Sequence, residues 1–380
     1  MRFFFLISLA CGAMLAIIPA QAAYTIKDGK LIQTHELATL SVQEHYSLAL
    51  EALEQQQWEE LILQSNIVIK NFPDSPFASE GQYYLGVGCF HMNELEVANK
   101  YFTSYLKKQS APKFFEEAIK YKFTIAEKYQ KGARKHLLGL DAMPKWLPAR
   151  EEAIEIYDEV ITALPHHELA VQSLYGKAAL LIMEEEYKTS VETYQTLIRK
   201  FNKHPLACES YIGICTVYLT QCKKEYPDPD FLDLAEINFK KFTADFPNEP
   251  RLAIAEEMLT EMREIYANNL YETAQFYERT KKPHASAIYY NKILSKYPKT
   301  KTANSSEERL VYLEKKYNKP YRDLRTLPAI SEDIVKAEES DASKLSSMLS
   351  QDLAPTNSAS GGEANDTTST PVLSGEDSAQ

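Results

Sequence analysis

Nowhere in the 380 residues is there a His-Glu-x-x-His, a Gly-x-Ser-x-Gly, a phosphate-binding glycine loop or a Cys-x-x-Cys. Their absence removes the metalloprotease, serine-hydrolase, nucleotide-hydrolase and disulfide-exchange chemistries that depend on those spacings. Gly86-x-Gly88 lies within an amphipathic helical pattern. It lacks the preceding strand and the third glycine of a dinucleotide site. An excess of basic residues is missing too: 42 Lys and Arg stand against 53 Asp and Glu, a net charge of −11. That balance argues against nucleic acid as a partner. Cysteine is scarce, at five residues. Cys208, Cys215 and Cys222 recur every seven positions in one helical stretch, about 10 Å of rise apart, too far for a disulfide or a shared metal within that helix. They read as small buried apolar residues, like Cys89. Cys89-Phe90-His91 and His166-His167 are too short to build a metal site, so neither metal nor cofactor is expected.

What the chain has is a recurring phrase. Asn71-Phe72-Pro73, Ala163-Leu164-Pro165, Asp245-Phe246-Pro247 and Lys296-Tyr297-Pro298 each carry a helix end, followed by a polar spacer and an alanine that opens the next helix. Phe201-Asn202-Lys203-His204-Pro205 reads as the same signal with extra residues before its proline. Five residues before the prolines stand Val68, Val160, Phe242 and Ile293. Eight before stand Ser65, Tyr157, Phe239 and Tyr290, and twelve before stand Leu61, Ala153, Ala235 and Ser286. Aligning Phe201 with the other aromatics adds Leu197, Tyr194 and Ser190. Proline has no amide hydrogen and cannot continue a helix, so it closes each unit.

The period and residue types resemble the tetratricopeptide repeat, a helix–turn–helix unit of about 34 residues. The clearest copy runs from Gln82 to Pro112, with Leu85-Gly86 in its first helix and Ala98 and Phe102 in its second. Gly86 and Ala98 are expected to face each other, with Phe102 filling the gap to the next hairpin. Ala49, Ala178 and Ala274 are expected at the position of Gly86 in other copies. One hairpin cannot bury its apolar face alone; stacking completes the core. The pattern predicts an all-α, right-handed tetratricopeptide solenoid of about five to six hairpins over residues 42–327. Residues 133–148 read as an insertion broken by Gly132, Gly139, Pro144 and Pro148, and 225–231 as a lengthened connection. Such additions fall on a repeat surface and shape binding faces.

Both ends differ from the middle. Arg2 precedes the apolar run from Phe3 to Ala20, and Ala20-Gln21-Ala22 fits a small-x-small exit. This predicts a secretory signal over residues 1–22, cleaved before Ala23, with 23–41 as an extension. An uncleaved anchor and lipid attachment at Cys11 are the other readings of the same segment. The mature chain is therefore expected in the periplasm or on the periplasmic face of the outer membrane. Residues 331–380 hold ten acids, two lysines and no aromatic, a net of −8. Residues 328–380 are predicted to be a disordered acidic tail rich in Ser and Thr. Leu345, Met348, Leu349 and Leu353 share one helical face within it.

A narrower resemblance rests on two stretches. One is Tyr266–Ala303, with Glu272, Ala274, Phe276 and Tyr277, then Ala285-Ser-Ala-Ile-Tyr-Tyr and Lys296-Tyr-Pro-Lys-Thr-Lys-Thr-Ala. The other is Asn71-Phe-Pro-Asp-Ser-Pro-Phe-Ala, followed by Tyr83-Tyr84 and Ala98-x-x-x-Phe102. They resemble the BamD family, the tetratricopeptide lipoprotein of the outer-membrane barrel-assembly machine, over about Val42 to Tyr317. The resemblance implies a non-enzymatic scaffold. Its N-terminal repeats would engage unfolded barrel substrates, and its C-terminal repeats would contact periplasmic domains of the central barrel subunit. Membrane association would come through partners or an N-terminal anchor. Tyr271, Phe276, Tyr277 and Tyr289 mark the partner-facing C-terminal region.

First helices line the binding face of such arrays, so Tyr46, Tyr83, Tyr84, Tyr121, Tyr175 and Tyr211 are the groove candidates. Tyrosine offers large contact area and a polar tip at low rotamer cost. The same spacing also fits core packing. Two further functions remain open: an envelope adaptor for division, peptidoglycan synthesis or secretion, and a cell-wall enzyme on a helical scaffold. The enzyme reading would need a catalytic carboxylate, for which Glu116 and Glu151 beside the insertion are the nearest candidates.

Overall fold

Four of the first helices start at a side chain that satisfies a backbone amide the helix leaves over. Ser41 and Glu44 form a reciprocal capping box at the start of α1 (Val42–Glu54). Ser75 Oγ accepts from Phe77 N at 3.2 Å, and Pro76 opens α3 (Pro76–His91). Histidine does the same work twice. His167 Nδ1 accepts from Leu169 N at the start of α7 (Glu168–Met183), and His204 Nδ1 accepts from Leu206 N at the start of α9 (Pro205–Lys224), both at 3.1 Å. With Nδ1 of His204 accepting, its Nε2 carries the hydrogen and donates to the Glu168 carboxylate at 3.1 Å.

A computed structural model describes residues 24–27, 30–33, 37–108, 110–137, 144–224 and 228–321. The expected signal segment with Cys11 and the acidic tail lie outside these residues. The remaining helices are α2 (Trp58–Asn71), α4 (Leu95–Lys108), α5 (Phe115–Gln130), α6 (Arg150–Ala163), α8 (Tyr187–Lys200), α10 (Pro229–Asp245), α11 (Leu252–Arg279), α12 (Pro283–Lys296) and α13 (Lys301–Tyr317). Consecutive helices pair as hairpins from α1/α2 to α11/α12, six among the described residues, which is the all-α tetratricopeptide fold. The chain divides into a compact unit that ends at Arg309 and a second that begins at Leu310. In the second, Tyr321 N donates to Glu314 Oε1 at 3.1 Å.

The helix-ending phrase builds one turn five times. Phe72, Leu164, Phe201, Phe246 and Tyr297 share φ near −130° and ψ between 47° and 67°. In each turn the carbonyl of that residue accepts an amide three residues on, from Ser75, His167, His204, Glu249 and Thr300. Pro205 is not a helix stop, as the sequence pattern suggested. It is the first residue of α9, and Asn202 stands where the other turns have proline. An asparagine there keeps the turn because the backbone bonds, not the ring, close it.

The positions counted back from the prolines form the core. Leu61, Val68, Ala153, Tyr157, Val160, Ala235, Phe242, Ser286, Tyr290 and Ile293 are buried, with Ser65, Ser190, Tyr194 and Leu197; Phe239 is half-buried. Glycines set how closely the helices approach. A Cβ on Gly86 would lie 2.8 Å from the Phe102 ring, so this glycine faces Phe102 at close range. The nearest atoms are those of the ring, not of Ala98 as expected. A Cβ on Gly176 would lie 2.8 Å from the Tyr157 ring, and one on Gly213 2.5 Å from the Tyr194 ring. These two glycines join one hairpin to the next, whereas Gly86 and Phe102 lie within one hairpin.

Among its described residues the insertion holds a strand pair, an element that the helix-breaking pattern did not predict. Strand β3 (Arg134–His136) pairs antiparallel with β4 (Lys145–Pro148). A second antiparallel pair, β1 (Tyr24–Lys27) with β2 (Lys30–Gln33), precedes the helices. The turns between first and second helices also escaped the pattern. Gln56, Asn93, Glu185 and Lys281 adopt positive φ there, a conformation usually signalled by glycine.

Candidate protein-binding surfaces

Four of the tyrosines singled out by sequence meet in one aromatic array on α1, α3 and α5. Tyr46 packs against Phe77 at 4.6 Å and Tyr84 at 6.0 Å, and its hydroxyl donates to Glu80 Oε2 at 2.5 Å. Glu80 also pairs with Lys113 at 3.1 Å. Tyr83 stacks on Phe114 at 4.5 Å, and Tyr121 stacks on Phe102 at 5.1 Å. Tyr83 and Tyr121 meet edge to face at 6.3 Å. Tyr46 and Tyr121 are half-buried, but Tyr83 and Tyr84 are buried and do not line a surface. The reason is that α3 packs against α2 on one side and α4 on the other and also touches α1 and α5, so most of its circumference is core. Phe77, Phe90 and Phe114, half-buried beside them, were not anticipated; Phe90 also lies under the Lys128 ammonium at 4.3 Å.

Burial keeps these phenols protonated. It pushes the Tyr46 and Tyr83 hydroxyls far above their ordinary value, with the neighbouring Glu80 adding to the effect at Tyr46. They act as neutral donors with apolar bodies, suited to recognition and not to proton transfer.

The C-terminal candidates divide similarly. Tyr277 is buried and stacks on half-buried Tyr289 at 5.5 Å, with half-buried Phe276 edge-on at 5.6 Å. Half-buried Tyr271 packs on buried Tyr290 at 5.4 Å. Among the other first-helix tyrosines, Tyr175 is half-buried against Tyr194, and Tyr211 is buried, stacked on Phe242 with its hydroxyl on Asp245. Burial also raises the Cys208 and Cys215 thiols to about 11, so both are protonated packing groups. Glu116 and Glu151 are exposed in the first turns of α5 and α6, where carboxylates complement the helix dipole.

Hydrogen bonds and ion pairs fasten the β3–β4 hairpin to the α3–α4 turn, to the start of α4 and to α6. His136 N and Nδ1 lie 2.7 and 3.0 Å from Glu96 Oε2. Lys145 bridges Glu94 Oε1 at 3.0 Å and the Asn93 carbonyl at 2.7 Å, and Lys135 pairs with Glu152. The hairpin displays Trp146 at 64% exposure.

A cleft of about 480 Å³ opens between α4, α5 and α6, walled by Leu106, Phe115, Ile119 and Ala163. At its edge Lys122 is almost wholly buried. Its ammonium donates to Asn99 Oδ1 at 2.7 Å and Thr103 Oγ1 at 2.5 Å and pairs with Glu159. Burial lowers the Lys122 pKa from 10.5, and Glu159 opposes this only in part. Folding thus disfavours the charged amine relative to the unfolded chain, and Lys122 weighs against stability below its lowered pKa. That cost fades as pH rises toward 10.5. Lys122→Met is expected to be neutral or stabilising by about 1 kcal/mol at pH 7. Its advantage over the natural chain should shrink near pH 10, as read from urea midpoints. A clear loss of stability at pH 7 would mean that the lysine's polar contacts outweigh its desolvation.

The repeat geometry and the tyrosine-rich C-terminal helices bear directly on kinship. Residues 150–323 match the YfiO family of outer membrane lipoproteins. This is the BamD family that the turns and tyrosines resemble. The YfiO match begins with α6 and runs past α13, taking in Tyr271, Phe276, Tyr277 and Tyr289. The aromatic array on α1, α3 and α5 precedes it. No curated protein matches the chain. Among solved structures, a tetratricopeptide repeat protein from Parabacteroides merdae is 14% identical, with a TM-score of 0.33, covering 72% of this chain and 98% of its own. A Thermus thermophilus tetratricopeptide protein is 12% identical, with a TM-score of 0.28 and coverage of 58% and 99%. PilF of Pseudomonas aeruginosa is 10% identical, with a TM-score of 0.27 and coverage of 70% and 97%. No helix among the described residues is long and apolar enough to cross a membrane.

Proposed function

We propose that the chain is a binding scaffold in outer-membrane protein assembly, acting on the periplasmic face of that membrane without catalysis. The observation that carries this reading is the YfiO match across α6 to α13. The C-terminal aromatics on α11 and α12 would meet periplasmic domains of a barrel-assembly subunit. The half-buried rings of Tyr46 and Tyr121 would hold unfolded barrel substrates. A packed repeat array presents such surfaces already ordered, which lowers the entropic cost of capture. The family's description as lipoproteins makes lipid attachment at Cys11 the alternative to weigh against cleavage before Ala23.

The test is an affinity pull-down from crosslinked native envelopes, with partners identified by mass spectrometry. Enrichment of an outer-membrane barrel bearing periplasmic repeat domains is the expected result. It should fall when Tyr271 and Tyr289 are both changed to serine. Enrichment of division, cell-wall or secretion proteins without such a barrel would overturn the assembly role and favour an envelope adaptor.

A further inference from the structure

Helix α10 is apolar on two sides, and only one of them is core. Leu232, Ala235 and Phe242 are buried, whereas Leu234 and Ile237 are 44% and 48% exposed. Leu234, Ile237, Asn238 and Lys241 follow the spacing of one helical face. They form one wall of a groove of about 290 Å³. Gln195, Ile198 and Arg199, again one face, form the opposite wall on α8. Tyr211, Ile214 and Tyr218 of α9 make the floor.

The floor is held rigidly. Asn238 Nδ2 donates to the Tyr211 carbonyl at 2.9 Å and approaches Cys215 Sγ at 3.2 Å, which ties α10 to the middle of α9. The Tyr211 hydroxyl donates to Asp245 Oδ2 at 2.5 Å, fixing the far end of α10. The groove is therefore preformed. Its charged lining residues, Arg199 and Lys241, are both cations, and among the described residues no carboxylate lines it. Two large aliphatic side chains exposed one turn apart beside a rigid floor mark a contact surface.

We propose that this groove binds a partner polypeptide segment that carries apolar side chains one helical turn apart among carboxylates. The apolar side chains cover Leu234 and Ile237 and reach Ile198 and Ile214; the carboxylates meet Arg199 and Lys241. Its walls are the second helices α8 and α10 and its floor is the first helix α9 with Tyr211; the inference stands independently of the assembly role. The charge complementarity selects an acidic segment over a basic one.

The test uses the full-length protein and a fluorescein-labelled synthetic peptide with two leucines one turn apart among glutamates, titrated by fluorescence anisotropy. The peptide is expected to bind, and to bind more weakly as salt rises. Arg199→Glu with Lys241→Glu should weaken it about tenfold or more, as should Leu234→Ser with Ile237→Ser. Thermal midpoints of both variants should stay near that of the natural chain, because all four side chains are on the surface. Failure of the glutamate peptide to bind would overturn the proposal. So would equal binding of a lysine-substituted peptide, or unchanged affinity in the charge-reversed variant. Concentration-dependent self-association that is lost in the Leu234/Ile237 variant and not displaced by the peptide would assign the groove to a second copy instead.

Discussion

Replacing Phe242 with alanine is expected to lower stability by about 3–5 kcal/mol. The side chain is completely buried, five residues before Pro247. Its ring stacks on Tyr211 of α9 at 5.2 Å and meets Phe246 edge-on at 6.0 Å. Cys208, Cys215 and Ala255 complete the cluster, so one ring fills the space where α9, α10 and α11 converge. Alanine would lose the transfer energy of the ring and leave a cavity that three separately anchored helices cannot close. Phe242→Leu should cost less, about 1–2 kcal/mol, because most of the volume remains. Urea denaturation measures the total. Hydrogen exchange locates it: in a repeat protein stability is a sum of units and their interfaces, so protection should fall in α9 to α11 and hold in α1 to α4. A loss below about 1 kcal/mol, well short of the usual range for a buried ring, or one spread evenly over all helices, would contradict this packing account.

Gly213→Ala is expected to destabilise by about 1–3 kcal/mol, although alanine is the better helix former by about 1 kcal/mol. The added methyl would lie 2.5 Å from the Tyr194 ring, with two more ring carbons at 2.8 and 2.9 Å. Tyr194 is itself buried on α8, so its ring cannot swing clear without disturbing the contact with Tyr175. Tyr194→Leu on its own should cost stability through lost packing. Combined with Gly213→Ala it should cost less than the sum of the two, since the smaller side chain admits the methyl. The double-mutant cycle by urea denaturation gives the coupling. A neutral or stabilising Gly213→Ala would show that the two helices have room to part.

The repeat was legible in the sequence because it is written in side chains that point inward. Leu61, Val68, Tyr157, Val160, Phe242 and Tyr290 were found by counting back from proline, and all are buried. Pro205 misled because proline serves both at the end of a turn and at the first position of a helix. Only the backbone distinguishes the two. The β3–β4 hairpin was hidden because its order comes from distant partners, Glu94, Glu96 and Glu152, and not from its own residue pattern. Tyr83, Tyr84 and Tyr277 carried no mark separating a core ring from a surface ring, since helical spacing fits both. The groove on α8 to α10 had a faint signal: Leu234 and Ile237 lie off the core face that Leu232, Ala235 and Phe242 define. That excess of apolar faces on one helix could have been counted.

The glycine–ring contacts have a consequence for how such a chain can evolve. Six residues after the alanine in the first turn of three first helices stand Tyr84 in α3, Gly176 in α7 and Gly213 in α9. The matching core positions of the preceding second helices are Ser65, Tyr157 and Tyr194. A bulky residue follows a small one, and glycine follows a ring. The α6–α7 and α8–α9 joints are thus keyed glycine to ring, and the α2–α3 joint carries a different pair of residues in the equivalent positions. A hairpin copied from the middle of this array to its beginning would set Gly213 after Ser65 and leave a hole. The reverse transfer would drive Tyr84 toward Tyr157 or Tyr194. Repeats that look like interchangeable modules in sequence are therefore locked into their order, and lengthening the array by duplication would require both halves of a joint to change together.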